Sequence, residues 1–440
     1  MKLISSFIFI FCLTLGIGLF VLQVKKIIRN IKLGKPLDRS GNTKERLKTM
    51  LLVAFGQSKM INRPFAGIMH IIIYLGFVII NLEVLEIILD GILGTHRLLA
   101  PFLGKMYDYL IGSFEILAVG VIIACAVFLG RRYGRQVYRI WSGNPDLKGW
   151  PSKDATIILT VEILLMGFFL TMNASDRLLQ LRGHPHYVQA GQYPVSVLLQ
   201  GLLNGSSDSS LIFIERFCWW AHILGILAFL NYLPYSKHFH IILAFPNTYF
   251  SNLGPKGKLS HDENVLKEVK MMLNPNAQPE PVEPGVMPSF GAKDVNDLSW
   301  KQLLDAYTCT ECGRCTSECP AHITGKLLSP RKIIMSVRDR LEEVGKLKDK
   351  FGSDFKDEKK LLGDYITPEE LWACTTCNAC AEVCPVNIDP VSIIVDLRRS
   401  LVMESSAAPG SLNAMFTNVE NNGAPWQFSP ADRANWINEI

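Results

Sequence analysis

The first 235 residues alternate between long apolar runs and short charged connections; the remainder of the chain does not. Five runs, at 3–24, 66–89, 109–130, 155–171 and 211–233, come close to the ~20 residues that a helix needs to cross a bilayer. They predict five transmembrane helices. The first run starts at the N-terminus but has no A-x-A-like cleavage pattern and is followed by more spans, so it reads as a retained helix. Beyond the last run, prolines 275, 279, 281, 284 and 288 mark an extended spacer over 274–288, after a short helical pattern at 263–273. Helical signals then resume. Ser329-Pro330, Thr367-Pro368-Glu369-Glu370 and Asp389-Pro390 each have a capping side chain followed by an N1 proline, and the second is a capping box. The charged stretch 341–362 reads as a solvated helix and loop, and 407–440 has little periodicity.

Charge orients the spans. Eleven Lys/Arg against two acids lie between the first two spans, from Lys25 to Arg63. The second connection has only Arg97 and Lys105, the third has Arg131, Arg132, Arg135, Arg139, Lys148 and Lys153, and the fourth has only Arg177 and Arg182. The positive-inside rule puts the first and third connections in the cytoplasm, the N-terminus outside, and everything after the fifth span in the cytoplasm. Composition agrees with a membrane chain: of 440 residues 49% are hydrophobic and 19% charged. The net charge of +5 is accounted for by the basic connections, not by nucleic-acid binding.

Eight of the eleven cysteines form two runs. Cys309, Cys312, Cys315 and Cys319 precede Pro320; Cys374, Cys377, Cys380 and Cys384 precede Pro385. Each reads C-x2-C-x2-C-x3-C-P, the run that holds a [4Fe–4S] cluster, and in two-cluster ferredoxins the fourth cysteine of each run serves the other cluster. The expected ligand sets are Cys309, Cys312, Cys315 and Cys384 for one cluster, and Cys374, Cys377, Cys380 and Cys319 for the other. Zinc is the alternative for C-x2-C pairs, but eight cysteines with two trailing prolines favour iron–sulfur. Such thiolates need a reducing compartment, which matches the side that the charge pattern assigns. The spacing between the runs, with helical sequence between them, predicts an α-helical ferredoxin.

Three histidines are candidates for chemistry in the membrane half. His70 lies in the second span, His222 in the fifth, and His240 just beyond it in LPYSKHFH. An eighteen-residue separation is five helical turns, so His222 and His240 would share a face ~27 Å apart, with His238 nearly opposite and Pro234 as a possible kink. Intramembrane histidines default to a functional reading, and haem ligation is the expected one; a hydrogen bond between helices is the structural alternative. Glu83, Glu86, Glu115, Glu162 and Glu215 also enter the spans and suit either a quinone pocket or pairing with Arg97 or Arg216.

The membrane half resembles the cytochrome b (gamma) subunit of respiratory nitrate reductase. That resemblance implies one haem between His70 and His240 and a second using His222 and a position held here by Ile80. His96, His184 and His186 are weaker ligand candidates. TCTECGRCTSECPAHITGKLLSPRKII and CTTCNACAEVCPVNIDPVSIIVDLRRSLV are similar to the iron–sulfur part of heterodisulfide-reductase-related membrane proteins. The whole chain resembles the electron-transfer-flavoprotein:menaquinone oxidoreductases, without their cysteine-rich CCG domains. It implies an all-α protein: a five-helix cytochrome b bundle over 1–245, a proline-rich linker over 246–296, a cytoplasmic two-cluster ferredoxin over 297–405, and a tail over 406–440 that docks a partner. The implied function is membrane-anchored electron transfer in the bacterial inner membrane. It would link a cytoplasmic flavoprotein, by way of a CCG-domain subunit, to two [4Fe–4S] clusters, haem b and menaquinone. A haem-less membrane-bound ferredoxin or redox sensor, or a heterodisulfide- or lactate-type oxidoreductase subunit, are the rival readings.

Overall fold

A computed structural model describes residues 2–255, 257–274 and 289–438; the proline run of the expected linker lies outside the described residues. Among the described residues there is no strand, only two isolated β-bridges. Among the described residues five helices are long and apolar enough to cross a membrane: α1 (Lys2–Ile31), α2 (Pro64–Leu93), α3 (Lys105–Leu129), α4 (Trp150–Leu181) and α5 (Asp208–Tyr232). Prolines open α2 and α4 in the first turn, where the missing N–H costs nothing. The bundle core is built where α3, α4 and α5 meet: Ile111, Phe114, Ala118, Phe169 and Ile223 are all nearly inaccessible. Phe9 of α1 packs on Trp219 of α5, and Gly91 of α2 makes room for its ring.

The second unit is built from α7 (Trp300–Thr308), α8 (Pro330–Phe351) and α9 (Pro390–Arg399), joined by the two cysteine loops; α6 (His240–Tyr249) leads into it from the bundle. The three capping signals fall at helix starts. Ser329 caps α8, Asp389 caps α9, and Thr367 with Glu370 forms a capping box on the helix Pro368–Trp372. Residues ahead of 297 already pack on this unit: Ala292 donates to the Asp396 carbonyl at 2.9 Å. The tail contains a largely exposed helix, Gly410–Asn422, where the sequence shows no clear period.

One face of the charged stretch that begins at Leu341 is not solvated. Leu341, Val344 and Gly345 are buried, and Gly345 lies so close to Asn30 of α1 that a Cβ would sit 2.5 Å from its side-chain nitrogen. Asn30 in turn donates to the Tyr307 hydroxyl at 2.9 Å. The two units therefore share one hydrophobic core, in which Ile27, Leu233, Phe239 and Leu243 join Leu298, Leu303, Ile334 and Ile393.

Charge completes the seam. Arg331 of α8, 1% exposed, donates to Asp146 at 2.9 Å and to Asn144 at 3.0 Å in the connection between α3 and α4. Arg139 of the same connection donates to the Cys312 carbonyl at 2.6 Å. Arg63 pairs with Glu318 at 2.8 Å, and Arg314 donates to the Lys59 carbonyl at 2.8 Å. Removing one partner of a buried pair strands the other. Arg331→Met is expected to lower unfolding stability by about 3 kcal/mol. Lys346→Ala, at a pair whose lysine is 76% exposed, should leave the melting temperature in detergent within error.

Candidate redox centres

The two cysteine runs have matching backbones. Glu311 and Thr376, the residues before the second cysteine of each run, have φ of 54° and 55°; Gly313 and Asn378, just after it, have φ of 70° and 59°. These left-handed turns fold each C-x2-C-x2-C loop so that its cysteines face inward. Gly313 is also confined from outside, since a Cβ there would meet Arg331 and the Arg139 carbonyl.

The loops interlock. Cys309, Cys312, Cys315, Cys380 and Cys384 line one cavity. The thiols that act on Cys315 are those of Cys312, Cys309, Cys384 and Cys380. Cys374, Cys380 and Cys319 influence one another in the same way, and Cys377 lies beside Cys374. The fourth cysteine of each run thus lies among thiols of the other run, Cys384 with Cys309, Cys312 and Cys315, and Cys319 with Cys374 and Cys380. Burial pushes the Cys309 thiol up to about 11 and Cys384 to about 12, and with its thiol neighbours pushes Cys315 well above the usual thiol range. Thiols so buried and crowded favour the thiolate only with a cation among them, which iron supplies. Among the described residues no three His, Cys, Asp or Glu side chains converge on a single-ion site; the thiols surround a space instead. The donor set fits iron–sulfur clusters. Each group has two buried thiols, Cys309 and Cys384 in one and Cys319 and Cys380 in the other; the exposed Cys377 belongs to the second.

The fifth span does not continue as one helix to His240. After Tyr232 the chain makes a 3-10 turn at Leu233–Tyr235, an extended Ser236 (ψ 148°) and a second 3-10 turn at Lys237–Phe239 before α6 begins. Pro234 lacks the N–H that would continue the helix, so the shared face expected for His222 and His240 does not exist. The break carries His240 to His70, with ring centroids 6.3 Å apart. It also brings His238, expected on the opposite side, to 5.6 Å from the His240 ring. His240 Nδ1 donates to the Lys237 carbonyl at 3.0 Å. A carbonyl only accepts, so Nδ1 carries the proton and Nε2 keeps its lone pair. Burial holds both His238, at about 3, and His240 below the ordinary imidazole value. His222 is fully buried within the bundle; its Nδ1 donates to the Leu165 carbonyl at 2.9 Å, and its Nε2 has no hydrogen-bond partner. Its ring neighbour is Phe169, and Ile80 lies buried in the surrounding core.

A residue pair missed in the sequence joins these centres. Lys237 donates to Glu311, inside the first cysteine loop, at 2.5 Å, and Arg338 grips the other carboxylate oxygen at 2.6 Å. Burial alone would raise the Glu311 carboxyl, but Lys237 and Arg338 outweigh it and hold it down at about 2.

At the far end of the bundle the carboxylates are engaged. Arg97, 7% exposed with φ 55°, donates to Glu83 at 3.0 Å, to Asp176 at 3.0 Å and to Asn173 at 2.7 Å, while Asp90 accepts its backbone N–H at 2.8 Å. Glu86 accepts from Tyr107 at 2.8 Å, Glu115 from the amides of Val195 and Ser196, and Glu215 from Tyr187 and Arg216. His96 lies 3.6 Å from Asp176 and packs on His186 at 5.3 Å. This pairing matches the structural alternative for Glu83, Glu86, Glu115 and Glu215, although Glu83 Oε2 is buried without a hydrogen-bond partner. Asp90, Asn173 and Asp176 escaped the sequence reading, although an acid or amide inside an apolar run is the signal that finds them.

A family model for the 4Fe-4S dicluster domain matches residues 308–388. The chain is similar to a probable iron–sulfur-binding oxidoreductase, FadF, of Bacillus subtilis, with 30% identity over 99% of this chain and 61% of that protein. It is similar to an EtfAB:quinone oxidoreductase of Syntrophomonas wolfei, with 28% identity over 92% of this chain and 55% of the relative. Over 33% of its length it is 27% identical to part of the dihydromethanophenazine:CoB–CoM heterodisulfide reductase of Methanosarcina mazei, covering 36% of the matched polypeptide. The chain therefore spans roughly three-fifths of the longer relatives that it matches end to end. No solved structure matches. The dicluster domain and the five apolar helices together describe a chain that joins an iron–sulfur unit to helices long and apolar enough to cross a membrane, similar over most of its length to proteins named as iron–sulfur or quinone oxidoreductases.

The buried Arg97 cluster gives a direct test of its structural role. Arg97→Met should destabilise the bundle by about 3–5 kcal/mol, because Glu83 and Asp176 lose their counter-charge. Arg97→Lys should recover only part, since an ammonium cannot reproduce the fork. Thermal unfolding in nanodiscs reads both.

Proposed function

We propose that this chain is the electron-transfer subunit of a quinone oxidoreductase, carrying electrons between a cytoplasmic donor, two [4Fe–4S] clusters, haem b and a quinone in the bilayer. The clusters and the haem supply reversible one-electron chemistry when bound. The observation that carries the reading is the 6.3 Å approach of the His70 and His240 rings, one ion pair away from the first cysteine loop. His70 and His240 are the residues that would hold the haem, since neutral imidazoles are haem-iron ligands. Cys309, Cys312, Cys315 and Cys384 hold the cluster nearer the membrane, and Cys374, Cys377, Cys380 and Cys319 hold the outer one. The Lys237 carbonyl fixes the tautomer and direction of His240, as outer-shell acceptors do for ligating imidazoles. His222 is the candidate for a second haem; its free Nε2 in a dry core supports that role.

The exposed Cys377 supports the direction of the wire: a donor meets the cluster that Cys377 would hold first. The donor is read as a flavoprotein acting through an iron–sulfur CCG-domain subunit, and the acceptor as menaquinone or a related quinone. The name of the Syntrophomonas relative supports both a flavoprotein and a quinone. The domain plan follows the expected bounds, 1–245, 246–296, 297–405 and 406–440, with the second unit on the cytoplasmic side of the bacterial inner membrane.

Two measurements test the ligands. In a reduced-minus-oxidised spectrum of the purified protein, b-type bands should be present, and His70→Ala and His240→Ala should each remove the same haem. Absence of b-type bands from protein that keeps its iron and sulfide would leave the haem-less ferredoxin reading. In electron paramagnetic resonance, Cys384→Ser should abolish the same cluster signal as Cys315→Ser, and Cys319→Ser the same signal as Cys374→Ser. Loss sorted by run instead of across runs would overturn the crossed assignment.

A further inference from the structure

The Lys237–Glu311 pair belongs to neither donor set and touches both. We propose that it is a clamp that fixes the first cysteine loop against the histidine segment, and so sets the gap across which an electron passes between the two centres. The inference rests on the ligand assignments just proposed.

Both residues are held from several sides. The Lys237 ammonium donates to the Pro151 carbonyl at 2.6 Å as well as to Glu311, its amide donates to Asp154 at 3.1 Å, and Tyr232 closes on the other Asp154 oxygen at 2.6 Å. Lys237 therefore rests on α4 and α5 together, and its own carbonyl takes the His240 Nδ1–H. Glu311 directly precedes Cys312, is 4% exposed, and is gripped by Arg338 from α8. From the cysteine loop to the imidazole the connection is thus one ion pair and one hydrogen bond, the rest being covalent backbone.

The molecule contains its own comparison. Thr376 occupies the equivalent place in the second run with the same left-handed φ; it is half-buried, and its hydroxyl donates to the carbonyl of its neighbour Thr375. The cysteine motif therefore requires the backbone turn and tolerates threonine; the glutamate is a feature of the loop that faces the bundle. A group placed by such supports loses function steeply when the supports loosen, since an error of ~1 Å can cost about 10²-fold in rate. The event itself is a one-electron exchange: the oxidised centre gains one electron, the reduced centre loses it, and no bond forms or breaks.

The test uses the full chain, loaded with iron, sulfide and haem, in nanodiscs. Lys237→Met leaves Glu311 paired with Arg338, Glu311→Thr installs the residue that the second run already accepts, and Lys237→Arg restores the cation. Iron, sulfide and haem per chain are measured first. Amide hydrogen exchange is then read over residues 236–240, and haem reduction is followed after a flash-generated ruthenium polypyridyl reductant delivers one electron to the cysteine-bearing unit. The expected result in Lys237→Met and Glu311→Thr is full cofactor content, faster exchange in 236–240, and haem reduction slowed at least about tenfold, with recovery in Lys237→Arg. A fully loaded Lys237→Met with wild-type exchange and wild-type haem reduction would overturn the clamp alone. A wild-type protein without haem would instead overturn the ligand reading beneath it.

Discussion

Charge withdrawn from water at the seam is the constraint on which the rest of the structure depends. An arginine that is 1% exposed, or a glutamate that is 4% exposed, is tolerable only with its partners in place. Here Asp146, the partner of Arg331, and Lys237, one of the two partners of Glu311, belong to connections of the bundle. The cysteine-bearing unit therefore has one seat. The same basic residues that the loop census reads as an orientation signal, Arg63 and Arg139 among them, grip the first cysteine loop and its neighbours. Orientation in the bilayer and docking of the second unit draw on one set of side chains.

The seat gives two similar loops different lives. Their backbones match turn for turn, as the paired positive φ values show. Their surroundings do not: one is roofed by Arg139, Arg331 and Lys237, the other includes an exposed cysteine. Burial and nearby charge are the protein's main levers on cluster potential. An internal repeat placed asymmetrically against a membrane bundle thus yields two centres of unequal character from one motif.

Much of this was legible in the sequence, for identifiable reasons. Span number follows from apolar length alone, and the five spans lie within the five long helices. Helix starts follow from capping chemistry, which is local, so Ser329, Thr367 and Asp389 were readable. The two cysteine runs were readable because their spacing encodes a known chemistry, and the dicluster domain matches there. What failed was tertiary. The direction of the chain past Pro234 depends on how Ser236 turns, and no periodicity records that. The buried face of 341–345 reads as solvent-facing because its cover, α1, is some three hundred residues earlier in the chain. The roles of Lys237 and Glu311 were invisible for the same reason: each is an ordinary surface residue until the other is placed beside it.

The exposure of Cys377 bears on how such a protein fails. Dioxygen and peroxide arrive from solvent, and the thiolate and metal they reach first are at that corner. Oxidative damage should thus be ordered, with the solvent-facing centre sacrificed while the four thiols under the seam survive. A molecule damaged in this way keeps its membrane-side machinery intact but loses the contact that feeds it, so it falls silent without discharging electrons at random. The geometry that admits a donor is also the geometry that makes the entrance the first part to break.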